Sequence, residues 1–116
     1  MSDEFTQFRS PTLQERTLIN AVAQRWVGRA ADWTSSVLVA RLDDGGMGSL
    51  RLRVEGERTG AQRFGECAAE YSFVDCDGVQ VIASLYLDEH GVPFELDMWK
   101  TDFSPLRRVD TSDERG

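Results

Sequence analysis

Near its end the chain reads Phe94-Glu95-Leu96-Asp97-Met98-Trp99-Lys100-Thr101-Asp102-Phe103-Ser104-Pro105-Leu106, and the alternation at its start constrains the fold more than any other feature. Successive side chains of a strand point to opposite faces, so Phe94, Leu96 and Met98 share one side and Glu95, Asp97 and Trp99 the other. Such a strand is half-buried, with an acidic outer face. It needs neighbours of matching pattern and a layer over its apolar side. Beyond it, Pro105 stops strand pairing, and Phe103 and Leu106 are expected to fold back as a clamp that closes the core.

The matching neighbours are present upstream. Phe64 to Val74 reads as a third strand with Cys67, Ala69, Tyr71 and Phe73 as its apolar set, and Val79 to Asp88 as a fourth with Val79, Val81, Ala83, Leu85 and Leu87. A three-residue loop, Cys76-Asp77-Gly78, pairs Phe73 with Val81, Tyr71 with Ala83 and Ala69 with Leu85, and puts Gly78 at the left-handed position. At Glu89-His90-Gly91 the fourth strand turns into the fifth. Pairing Leu87 with Phe94 aligns Leu85 with Leu96 and Ala83 with Met98, and on the other face Tyr86 with Glu95, Ser84 with Asp97 and Ile82 with Trp99. Val37 to Leu42 and Leu50 to Val54 read as the first two strands. The glycine-rich stretch between them has no Lys-Ser or Lys-Thr pair and no following helix, so it is a turn and not a phosphate loop.

One helix precedes the strands. Ser10 can cap, Pro11 suits a first helical position, and Thr12 with Glu15 has the spacing of a capping box. Leu18, Ile19, Val22, Trp26 and Ala30 recur at three- and four-residue steps, which predicts an amphipathic helix of about five turns. The expectation is therefore α+β: an N-terminal amphipathic helix packed on an antiparallel meander of about five strands. Residues 1–9 form a flexible arm on which Phe5 or Phe8 could dock, 10–106 a single domain, and 107–116 a charged, disordered tail.

Composition narrows the function. Thirteen basic against 20 acidic residues give a net charge of −7, which disfavours nucleic acid and anionic membranes and favours a basic partner. No apolar run reaches membrane-spanning length, and an acidic start is unlike a signal peptide, so a cytoplasmic location is expected. Cys67 and Cys76 fall on one arm and at the tip of the same hairpin, too far apart for a disulfide, and Cys67 reads as a small core residue.

No catalytic constellation stands out. Glu95 and Asp97 share a strand face but read as a solvated pair. Asp75-Cys76-Asp77-Gly78 lacks the remaining ligands of a calcium loop, His90 is a turn residue, and two Cys with one His make a poor zinc set. Lys100, between Asp97 and Asp102, reads as ion-paired or snorkelling. No metal or cofactor is expected.

Three stretches, Leu42 to Ser49, Asp75 to Val79 and Glu95 to Leu106, together resemble a family of small bacterial domains of unknown function. The resemblance implies no activity. It implies that the glycine loop and the Trp-Lys turn belong to one shared design.

Three functional readings follow. The first is a non-catalytic acidic protein-binding module, such as an immunity protein or antitoxin neutralising a basic partner, with Tyr86, Glu95, Asp97, Trp99 and Asp102 forming or bordering the contact face. The second is a small-ligand binder or enzyme with a pocket between helix and sheet, using Asp97, Lys100 and Asp102. The third is a structural domain that homodimerises through Ile82 and Trp99.

Overall fold

The computed structural model describes residues 8–42, 48–55 and 64–105. Among them one helix precedes a five-stranded antiparallel sheet, the α+β class that the sequence implies. Helix α1 spans Leu13–Ala23, β1 Val37–Arg41, β2 Leu50–Val54, β3 Phe64–Val74, β4 Gln80–Asp88 and β5 Pro93–Lys100.

Of the candidate start signals, the capping box prevails. The Thr12 hydroxyl accepts from the Glu15 N–H at 3.1 Å while the Glu15 carboxylate accepts from the Thr12 N–H at 2.9 Å, so two orphan donors are satisfied at once. Arg9 adds a two-pronged ion pair to the same carboxylate, at 2.7 and 3.0 Å. Burial works against the Glu15 charge, but the Arg9 and Thr12 hydrogen bonds outweigh it and hold its pKa below the ordinary carboxylate value.

The helix is shorter than its apolar period suggests. It ends at Ala23, and the next bonds, Arg25 N–H to Val22 and Trp26 N–H to Ala23, are three-residue turns. Leu18, Ile19, Val22 and Ala23 are buried, Val27 and Ala30 are exposed, and Trp26 packs partly buried on the core. After α1 a 3-10 helix, Ala31–Ser36, leads into β1 and inserts Trp33 into the core.

Strand order is β1-β2-β5-β4-β3. The chain is thus not a sequential meander throughout: β5 inserts between β2 and β4, with Leu50 opposite Leu96 and Arg51 opposite Glu95. The apolar rows of β2, β4 and β5 form one continuous inner face on which side chains such as Leu52, Leu85, Leu96 and Met98 are buried, with α1 packed toward β3 and β4 and the 3-10 helix beside β2.

The two hairpins have the expected registers over most of their length. Phe73–Val81, Tyr71–Ala83 and Ala69–Leu85 pair as predicted, as do Leu85–Leu96, Ala83–Met98, Tyr86–Glu95, Ser84–Asp97 and Ile82–Trp99. Both turns repeat one spelling, Asp-x-x-Gly-Val. In each, the glycine N–H bonds the Asp carbonyl, the Asp N–H bonds the Val carbonyl, and the glycine is left-handed, with φ of 85° at Gly78 and 80° at Gly91.

Four expectations are corrected. A register shift after Tyr86 pairs Leu87 with Pro93 instead of Phe94. An irregularity between Cys67 and Ala69 sets Cys67 opposite Tyr86 and leaves it exposed, outside the core, because a bulge reverses which face the next side chain takes. Phe103 does not close the core; it is 67% exposed. Lys100 is ion-paired, but not to its sequence neighbours. Of the arm, Phe8 docks beside Arg53, whose guanidinium lies 4.0 Å from the ring centre. Phe5, Leu106, the 107–116 tail and Asp43 to Met47 of the glycine loop lie outside the described residues.

Candidate functional site

The register fixes what the sheet presents on the side away from α1. Three rows cross β3, β4 and β5 there: Ser72–Ile82–Trp99, Glu70–Ser84–Asp97 and Cys67–Tyr86–Glu95, the last continuing to Arg51 on β2. Gly65, Glu66, Tyr86, Glu95 and Asp97 line an open hollow of about 470 Å³.

Charge gathers around Tyr86. Its phenol is pushed above the ordinary value of 10.0 first by burial and then by repulsion from Cys67 once its thiol is ionised, and from Asp97, Glu70 and Glu95. The Cys67 thiol is raised for the same two reasons, burial and Glu70. Hydrogen bonds hold the cluster in place. The Ser84 hydroxyl lies 3.4 Å from Glu70 Oε2, and the buried Ser49 hydroxyl accepts the Met98 N–H at 2.8 Å and donates to Asp97 Oδ1 at 3.3 Å.

Of the sequence-predicted site residues, Tyr86, Glu95 and Asp97 meet at the hollow. Trp99 continues the same strand face beyond Asp97 and is 41% exposed. Asp102 lies past the end of β5, in the turn. Its Oδ1 accepts the Ser104 hydroxyl at 2.6 Å and the Ser104 N–H at 3.0 Å, and those bonds hold its pKa below the usual value.

Three contributors lie outside the five residues expected at the contact face. Glu70 was within reach, because pairing Tyr71 with Ala83 also places Glu70 opposite Ser84. Glu66 reaches the hollow through the register shift between Phe64 and Glu66, which periodicity does not announce. Phe103 stands edge-on to Trp99, ring centres 5.8 Å apart, with a left-handed φ of 63°. That conformation costs a bulky residue roughly 1–2 kcal/mol, and no strand or helix rule places it.

Lys100 points the other way. It sits on the inner side of β5, fully buried, and its ammonium donates to Asp77 Oδ2 at 2.6 Å, Asp75 Oδ2 at 2.9 Å and the Pro105 carbonyl at 3.1 Å. Three donors thus meet three acceptors. Loss of water opposes the charge, but the hydrogen bonds to Asp77 and Asp75 outweigh it and raise the lysine's pKa. Asp97 and Lys100 therefore lie on opposite faces of the sheet, and the second reading's three residues do not converge. Among the described residues, no group of three or more His, Cys, Asp or Glu side chains is placed to hold a metal, and no helix is long and apolar enough to cross a membrane.

The electrostatics of the hollow are directly measurable. In a Tyr71→Phe background, leaving Tyr86 as the remaining tyrosine, the ultraviolet phenolate titration is expected to have its midpoint above 10.0. Glu95→Gln with Asp97→Asn moves it down. An unchanged midpoint would show that these carboxylates do not act on Tyr86.

The three stretches that carry the resemblance meet in space. Ser49 of the first clasps Asp97 and Met98 of the third, and Asp75 and Asp77 of the second hold Lys100 of the third. No curated protein and no solved structure matches the chain. The family model of a domain of unknown function, DUF6984, matches residues 8–110, and the chain belongs to that family.

Proposed function

We propose that this chain is a non-catalytic protein-binding module whose outer sheet face receives a basic protein. One observation carries the reading: Glu66, Glu70, Glu95 and Asp97 gather around Tyr86 at an open hollow of the outer face, and the same side carries the solvent-facing pair Trp99 and Phe103. Aromatic anchors give a contact its strength, and a ring of like charge selects the partner and speeds encounter. An immunity protein or antitoxin, which covers a basic toxin, has these requirements.

The test is co-expression with the product of the adjacent gene, followed by capture. A basic product is expected to co-purify, and Trp99→Ala with Asp97→Lys to weaken it roughly a hundredfold. Glu66→Lys, which avoids the Ser49 contact, repeats the charge test without touching the clasp. If the variants bind as wild type, the surface is wrong although the class stands. A neighbour that is neither basic nor captured overturns the class.

A further inference from the structure

The sheet has two edges and treats them differently. At β1, Arg9 of the preceding segment forms a bridge with Val39, exchanging N–H to carbonyl bonds at 2.8 Å in both directions. The other edge is β3, an eleven-residue strand whose one strand partner among the described residues is β4. Its N-terminal half is broken by the irregularities at Phe64/Glu66 and Cys67/Ala69, whereas Ala69 to Val74 pairs without interruption.

Hydrogen-bond parity states which backbone groups that regular stretch turns outward. The Asp75 N–H bonds the Val79 carbonyl, and the Thr101 N–H bonds the Gln80 carbonyl, so odd-numbered β3 residues face β4 and even-numbered β4 residues face β5. Glu70, Ser72 and Val74 consequently direct their N–H and C=O groups away from the sheet. Their side chains stand exposed on the outer face, in line with the Tyr86 cluster, and Tyr71 and Phe73 stand half-buried on the inner face, ring centres 6.4 Å apart, with Arg25 over Tyr71.

From this we infer that the β3 edge is where the partner's chain docks, by adding an extended basic segment as a sixth strand. The inference rests on the protein-binding reading and names the partner chemistry. Main-chain bonds to Glu70, Ser72 and Val74 supply affinity, and alternate side chains supply specificity. A lysine or arginine opposite Glu70 lies on the acidic face, and apolar residues on the alternate positions cover Tyr71 and Phe73. A second copy of this chain fits the geometry less well, because it brings a net charge of −7 against an equal one.

The probe is a short acetylated peptide of alternating lysine and valine, added to the full-length 15N-labelled protein. Slowed amide exchange at Glu70, Ser72 and Val74 is expected, with no effect from the same peptide carrying glutamate for lysine. Ser72→Pro removes one outward N–H, tolerable at an edge, and is expected to weaken binding about tenfold. Should that variant fail to fold, Glu70→Lys keeps every backbone donor and is expected to weaken binding as well. Shifts confined to Tyr86, Glu95 and Asp97 overturn the edge proposal and leave the acidic-face reading standing. No response at either place overturns both. Protection of the three amides that grows with protein concentration and needs no peptide assigns the edge to a second copy and overturns the basic segment.

Discussion

Replacing Lys100 by methionine lowers the thermal midpoint by on the order of 10–20 °C, as expected when a buried ion pair in a small domain loses one partner. The loss comes less from the missing attraction than from the Asp75 carboxylate, fully buried and left without its cation. Adding Asp75→Asn to Lys100→Met is therefore expected to recover part of the loss, since a neutral amide is cheaper to bury without a counter-charge than a carboxylate. Calorimetry on the single and double variants checks both statements. A single variant that melts like wild type would show that the clip adds nothing to stability.

The same clip has a pH signature. The folded state holds the lysine proton more tightly than the unfolded chain, so its contribution is complete below the ordinary lysine value of 10.5 and is lost as pH rises through the higher folded value. Tyr86 acts in a neighbouring window. Its proton is also held more tightly when folded, so its contribution is present below 10.0 and fades above it. Comparing denaturant midpoints at neutral and strongly alkaline pH for wild type, Lys100→Met and Tyr86→Phe separates the two. The clip also bears on recognition, because its third acceptor, the Pro105 carbonyl, pins the turn that holds Phe103 against Trp99.

Gly65→Ala is the second large effect. Although Gly65 faces solvent, a methyl group there would overlap the Asp88 carbonyl and crowd that of Leu87, both backbone atoms that cannot swing aside. Relief requires β3 and β4 to part at the bulge, at a cost of about 1–3 kcal/mol. The displaced strand end carries Glu66, so amide shifts at Glu66 and Tyr86 and weaker capture of a basic partner are expected together. Gly78→Ala is the useful contrast. Its added methyl meets nothing within 4 Å, and the penalty is left-handed strain at φ 85° alone, on the order of 1 kcal/mol, with the hollow unchanged. If Gly65→Ala leaves stability and the Glu66 resonance where they were, the close approach at the bulge is not a constraint.

The contrast between these glycines shows what a single chain discloses. Gly78 and Gly91 announce themselves through the turn spelling around them, because a three-residue hairpin needs a left-handed residue at one position. Gly65 does not, since its constraint comes from a carbonyl on another strand. Similarly, Glu70 could be placed on the outer face by counting from the hairpin, whereas Glu66 and Cys67 could not. One inserted residue inverts the count, and no local signal marks it.

The two clasps mark the same boundary. Asp75, Asp77, Lys100, Ser49 and Asp97 were all conspicuous in the sequence, yet the nearest neighbours of Lys100, Asp97 and Asp102, looked like its partners. The actual partners of the ammonium lie 25 and 23 positions upstream. They were reachable only because β5 packs against β4 with its odd-and-even alternation turning Lys100 inward at the level of the β3–β4 turn.

What the sequence determined by itself was everything governed by short-range rules. The capping box at Thr12, the two Asp-x-x-Gly-Val turns, the strand alternation and the hairpin registers that assemble Tyr86, Glu95 and Asp97 each follow from residues within one turn or one hairpin of each other. The tertiary structure decided the rest: where α1 stops, the insertion of β5 between β2 and β4, the burial of Lys100 and the outward stance of Phe103. Those depend on which sheet edges meet and how much room remains between layers, quantities set by contacts distant in the chain and therefore absent from any local pattern.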